Sequence, residues 1–248
     1  MLLSDLTLID RPSPNNDARG ADAVVDMLVL HYTGMDSTDA AVERLCDPDA
    51  AVSAHYLIDD QGAVYRLVPE SRRAWHAGVS SWAGDTDIND RSIGIELANP
   101  GHQLGYRPFP DAQMTALEHL ALDILSRQPI PTRRVVGHSD IAPARKQDPG
   151  EFFDWRRLAA KGIGLWPAPT ARLRPRPALC RGSSGVEVAA AQSALAAYGY
   201  GLAPSGHYDQ ATVDVVAAFQ RHFRPRTVDG AFDVATEALL KALLAMIL

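Results

Sequence analysis

The sequence is short of features that would place it in several large classes at once. It holds two cysteines, Cys46 and Cys180, 134 positions apart and in no CxxC pair, so neither a disulfide framework nor a thiolate metal site is encoded. Basic residues do not outnumber acidic ones: 24 against 30, a net charge of −6. That balance gives no general electrostatic pull toward nucleic acid or anionic lipid. Long hydrophobic runs are missing too. The longest apolar stretch, LLKALLAMIL at 239–248, is interrupted by Lys241 and falls far short of the ~20 residues that cross a bilayer. The first residues, MLLSDLTLIDR, place Asp5 and Asp10 where an export signal would keep an apolar run, and this predicts a cytoplasmic protein. Lysine itself is scarce, with Lys146, Lys161 and Lys241 as its three occurrences.

What the chain does contain is ordinary material for a folded protein: 248 residues, 46% hydrophobic and 22% charged, with a mean hydropathy of −0.12. Disorder and a membrane bundle are both excluded on composition. A break falls at 166–182, WPAPTARLRPRPALCRG, whose prolines and arginines read as a semi-extended linker. Residues 1–166 carry 16 basic and 24 acidic groups (−8), and residues 167–248 carry 8 and 6 (+2). Three parts are therefore expected: 1–166, a linker at 167–177, and 178–248.

The first part alternates strand-like and helix-like segments. VVDMLVL at 24–30, AHYLID, AVYRLV, SIGIEL and RRVVGH are β-prone. In AQMTALEHLALDILSRQ, Met114, Leu117, Leu120, Ala121, Ile124 and Leu125 recur at helical spacing, with Asp111 placed as an N-cap. The fold class expected is α/β, a mixed central sheet flanked by helices. The last part holds a repeat: GHYDQAT at 206–212 and GAFDVAT at 230–236 lie 24 residues apart. Each joins a glycine turn to an Asp that can cap the next helix, with a Thr three positions further on. Three short helices, a small all-α domain, are predicted.

Of the eight histidines, His31 and His138 each end a hydrophobic β-run, where a scaffold can hold a ligand rigidly. His119, His207 and His222 read as solvated or packing residues. Zinc hydrolysis needs three protein ligands and an open position. His31 and His138 would need one carboxylate, and both Asp140 and Asp148 follow His138 in a proline-containing loop. In SIGIEL the period-two alternation puts Ile93, Ile95 and Leu97 on one face and Gly94 and Glu96 on the other. Glu96 thus points away from the apolar layer, where a carboxylate can act as general acid and base.

Six ordered blocks, LVLHYTG, VSAHYLIDDQGAVYRLVPE, RAWHAGVSSW, NDRSIGIELAN, VVGHSDIAPARKQDPG and FFDW, make residues 20–166 resemble the N-acetylmuramoyl-L-alanine amidase type 2 family. Residues 178–246 resemble the peptidoglycan-binding type 1 domain. The resemblance implies one zinc ion per chain on His31, His138 and Asp148, Glu96 as acid/base residue and Lys146 as oxyanion stabiliser. It implies hydrolysis of the amide between N-acetylmuramic acid and L-alanine in peptidoglycan or muropeptides. His55, Trp75, His76 and Asn99 fall in the same blocks and are expected near the substrate. Loops 78–91 and 99–110 are expected to border the groove. The helical module is expected to tether the enzyme to the polymer, which would suit a cell-envelope location. Alternatives are a recognition protein that binds peptidoglycan without cutting it, or a wall hydrolase attacking a different peptide bond. No nucleic-acid partner and no membrane span are expected, and no oligomeric interface is legible.

Overall fold

The computed structural model describes residues 6–168 and 176–247. Most of the linker expected at 167–177 lies outside them. In chain order the strands are β1 Leu8–Asp10, β2 Asn16–Ala18, β3 Met27–Tyr32, β4 Tyr56–Ile58, β5 Val64–Arg66, β6 Arg72–Ala74, β7 Ser92–Leu97 and β8 Val135–Gly137. The helices are α1 Thr38–Cys46, α2 Ile88–Arg91, α3 Gly101–Leu104, α4 Asp111–Arg127, α5 His138–Ile141, α6 Trp155–Ala159, α7 Val186–Tyr198, α8 Gln210–Phe223 and α9 Val234–Ile247.

The main sheet is mixed, in the order β1-β5-β4-β7-β3-β8. Its centre is parallel: β4 with β7, β7 with β3, and β3 with β8. Strand β3 is apolar at successive positions because both of its faces are covered, the usual condition of a central parallel strand. On one face Leu28, Leu30, Ile93, Ile95 and Leu97 meet Leu117, Leu120, Ala121 and Ile124 of α4. Asp111 does not cap that helix as expected. Pro110 occupies the N-cap, and Asp111 is the first helical residue, paired with Arg157 at 2.6 Å.

On the opposite face Met27 and Val29 of β3 and Val136 of β8 join Trp82, Ile88 and Ile141 in a cluster that continues without a break into α7, α8 and α9, through Val188, Leu195, Phe219, Leu240 and Leu243. The three helices therefore share one core with this face of the sheet, and α8 meets α5. Asp209 caps α8 by accepting the Thr212 N–H at 2.9 Å, and Asp233 does the same for Thr236 at 2.9 Å, as the repeated motif predicts. Segment 78–91, expected beside the groove, instead supplies this contact. The Trp82 indole meets Tyr198 and Tyr200 edge-on, at centroid distances of 5.8 and 5.1 Å. It also lies so close to Gly199 that a Cβ there would come within 2.6 Å of the ring.

Candidate active site

Open α/β sheets place their sites at the carboxyl ends of parallel strands. Here three adjacent strands converge: His31 lies near the end of β3, Glu96 near the end of β7, and His138 follows β8 directly. His31 and Glu96 are register partners, so their side chains leave the same face. Gly94 shares that face and must be glycine, because a Cβ would sit 2.5 Å from the His76 ring.

His31 Nδ1, His138 Nδ1 and Asp148 Oδ2 face one another at 2.9, 3.0 and 3.2 Å. The residues are 1%, 4% and 6% exposed. Proton positions follow from the outer partners. His138 Nε2–H donates to the Ala77 carbonyl at 3.1 Å. His31 Nε2–H donates to His76 Nδ1 at 3.0 Å, His76 Nε2–H to Ser92 Oγ at 3.1 Å, and Ser92 Oγ–H to the Ile88 carbonyl at 2.6 Å. With both Nε2 protons committed, the three facing atoms all present lone pairs, an arrangement that needs a cation at its centre. Ligands on a tetrahedral zinc with bonds of about 2.0–2.1 Å stand about 3.3 Å apart, close to the spacings seen. The donor set fits zinc. Asp140, the other carboxylate candidate, turns away: its Oδ2 accepts the Gly137 N–H at 2.8 Å and His222 Nδ1–H at 2.7 Å, and its Oδ1 accepts Tyr200 O–H at 2.7 Å.

The electrostatics agree with this picture. Burial, followed by the neighbouring His138, pushes His31 down to about 4, keeping it neutral. Burial works against ionisation of Asp148, while positive charge on the His138 and His31 side holds its carboxyl far below the usual range, and a cation among the three facing atoms acts in the same sense. Glu96 differs from both. Burial, reinforced by the charge of Asp148 and opposed by Lys146, pushes it up to about 8, and its Oε2 is buried without a hydrogen-bond partner among the described residues. A carboxyl with a raised proton affinity and an unused oxygen is equipped to exchange protons.

A cavity of about 620 Å³ opens over these groups. Trp75, His76, Glu96, His138, Lys146 and Asp148 are among its lining residues, so most of the predicted site residues share one groove. His31 lies just beneath. His55 and Asn99 do not line it. His55 is 0% exposed, with Nδ1 accepting the Gly94 N–H at 3.0 Å and Nε2–H donating to the Arg72 carbonyl at 3.1 Å. It braces β7 from the side of β4, with its ring edge-on to His76 at a centroid distance of 5.7 Å. Asn99 ties down the following loop through the Arg107 carbonyl, at 2.7 Å, and the Gly101 N–H, at 3.1 Å.

Stretch 99–110 borders the groove as expected, through Pro100, Gly101, His102 and Gln103, whereas the contribution of α8 was not foreseen. His102 lines the groove between Tyr32, whose hydroxyl donates to Nδ1 at 2.9 Å, and Glu151, which accepts from Nε2 at 3.0 Å. Asp214, Ala217 and Arg221 of α8 form part of the wall. The only available signal was their i, i+3, i+7 spacing on one helical face, which is common.

A cation-ready donor set beside a protonatable carboxylate, in a cleft at strand ends, is the equipment of a hydrolase. The chain belongs to the N-acetylmuramoyl-L-alanine amidase family, whose model matches residues 21–151. A peptidoglycan binding domain model matches residues 184–240. The N-acetylmuramoyl-L-alanine amidase AmiD of Escherichia coli K12 is 41% identical over 239 residues, 92% of this chain and 85% of that protein. The 1,6-anhydro-N-acetylmuramyl-L-alanine amidase AmpD of Enterobacter cloacae is 39% identical over 64% of this chain and 94% of its own length. Among solved structures, the E. coli AmiD complex with anhydro-N-acetylmuramic acid-L-Ala-D-gamma-Glu-L-Lys superposes with a TM-score of 0.78 at 39% identity, covering 92% of each chain. AmpDh3 of Pseudomonas aeruginosa in complex with anhydromuramic pentapeptide gives a TM-score of 0.74 at 35% identity, covering 90% of this chain and 92% of that one.

Proposed function

We propose that this amidase is zinc-dependent and hydrolyses the amide between the lactyl group of N-acetylmuramic acid and the L-alanine of the stem peptide, in peptidoglycan or muropeptides released from it. The observation that carries the reading is the convergence of His31 Nδ1, His138 Nδ1 and Asp148 Oδ2 with every outer imidazole proton already placed. These residues would hold the ion. When bound, zinc supplies a Lewis acid that polarises the scissile carbonyl and acidifies water.

The remaining work falls to the chain itself. Glu96 takes a proton from the attacking water and delivers it to the departing nitrogen, using the oxygen that has no partner among the described residues. Lys146 places a compact positive charge in the same groove, where it meets the negative charge that develops on the carbonyl oxygen. The His76 relay keeps His31 in the tautomer that presents Nδ1. The intact donor set together with Glu96 disfavours a recognition protein that only binds.

Digestion of purified anhydro-muropeptide and of whole sacculi, with products identified by mass, tests the proposal. Free stem peptides beginning with L-alanine are expected, and exhaustive chelation should stop their release until zinc is restored. Cleavage inside the peptide, or full activity after chelation, would overturn it.

A further inference from the structure

Resting on the reading of the groove as a muropeptide site, we propose that the helical unit supplies a recognition residue of its own: Arg221 on α8 receives a carboxylate of the stem peptide. Asp214, Ala217 and Arg221 stand in line on one face of α8 and form a wall of the cavity that also holds Glu96, Lys146 and Asp148. The Arg221 side chain is only 12% exposed, and its Nε is buried without a hydrogen-bond partner among the described residues. It forms a long ion pair with Glu151 Oε2 at 3.7 Å, beyond hydrogen-bond reach, and that oxygen already accepts from His102 at 3.0 Å, so the donors of the fork stay free to bond. Asp214 accepts from Gln210 on its own helix at 2.8 Å. A guanidinium presents its donors as a planar fork matched to a carboxylate, and the small side chain of Ala217 leaves room for one to approach.

The position of Arg221 is fixed by its neighbour. His222 is bonded to Asp140 at 2.7 Å and stacks on Trp155 at a centroid distance of 3.7 Å. The stretch of α8 that carries Arg221 is thus tied to the same turn that carries His138. In a muropeptide the lactyl carboxyl is consumed in the scissile amide. A γ-linked glutamate keeps its α-carboxylate free, and the last residue keeps another. All acid groups therefore lie on the peptide side of the bond, so Arg221 marks the side of the groove that takes the peptide and leaves the opposite end to the sugar.

The test uses the full-length, zinc-loaded protein with anhydro-N-acetylmuramic acid-L-Ala-D-γ-Glu-L-Lys and two counterparts, each with one of the free carboxylates converted to carboxamide. Wild type should show KM raised roughly tenfold, a step typical of losing one charged hydrogen-bonded partner, for one of the two counterparts, with kcat within about twofold. Arg221→Gln should raise KM for the parent compound by a similar factor and erase the acid-to-amide difference, while Arg221→Lys should keep part of it. Titration of the released tripeptide onto wild type and Arg221→Gln gives the same comparison without turnover. An unchanged acid-to-amide ratio in Arg221→Gln, or equal KM for all three compounds in wild type, overturns the role of Arg221 and leaves the amidase reading standing. Failure of wild type to release peptide from any of them overturns both.

Discussion

Asp140 is the sharpest place to probe how this molecule is held together. Its carboxylate is 1% exposed and takes three hydrogen bonds: Gly137 N–H at 2.8 Å, His222 Nδ1–H at 2.7 Å and Tyr200 O–H at 2.7 Å. Two of these come from the helical unit and one from the turn ahead of His138. Asp140→Ala leaves three buried donors without an acceptor. Each such loss costs about 1–3 kcal/mol. We therefore expect a destabilisation of about 3–5 kcal/mol, a large share of the ~5–15 kcal/mol that holds a typical protein folded. The assay is a double-mutant cycle with His222→Ala, read by urea unfolding at constant zinc. Because the two side chains share one bond, the cycle should give a coupling of at least about 1 kcal/mol, within the range for contacting residues. Additive single effects, or a loss below about 1 kcal/mol for Asp140→Ala, would refute the argument that this carboxylate clamps the helices to the sheet.

Further outcomes follow from the site. Glu96→Gln should lower turnover by about 10²–10⁴-fold while metal analysis still finds close to one zinc per chain. Asp148→Ala should lose zinc and activity together, because two neutral imidazoles alone make an incomplete donor set. Gly94→Ala drives a Cβ into the His76 ring, so the relay to His31 must shift; zinc affinity should fall about 10–100-fold, as for other partners of metal-bound histidines. Stability should also fall in acid. Burial, followed by the Arg19 charge, holds His55 down to about 3 in the folded protein, whereas the unfolded chain takes up that proton near 6.5. The contribution is complete above pH 6.5 and is lost progressively as the pH falls toward 3. Between pH 7 and pH 5 it amounts to about 2 kcal/mol, measurable by urea unfolding and removed in His55→Gln.

The strand pattern of the sheet was largely written in local sequence. SIGIEL became β7 from Ser92 to Leu97 with Glu96 on the face opposite Ile93 and Ile95, because alternation is a property of a few consecutive residues. The Asp caps of α8 and α9 were legible for the same reason. Short strands such as β2 and β6 were not, since they are defined by pairing Asn16–Ala18 with Arg72–Ala74 and carry little apolar signal of their own. The choice between Asp140 and Asp148 also lay beyond spacing. Both follow His138 in one loop, and what separates them is Tyr200 and His222, residues 60 and 82 positions away. His55 stands one layer back from the groove for a related reason: its block places it beside the site in sequence, while the fold engages both its nitrogens and sets its ring against His76.

The unbroken apolar seam from Val29 and Val136 to Phe219 and Leu240 has a mechanical meaning. A slack leash would let an enzyme sample any bond within reach of its attachment point. With the helices and the sheet sharing one core, any surface of theirs that grips a polymer stands at a set offset from Glu96, so the molecule behaves as a gauge whose jaw and stop are cut from one piece.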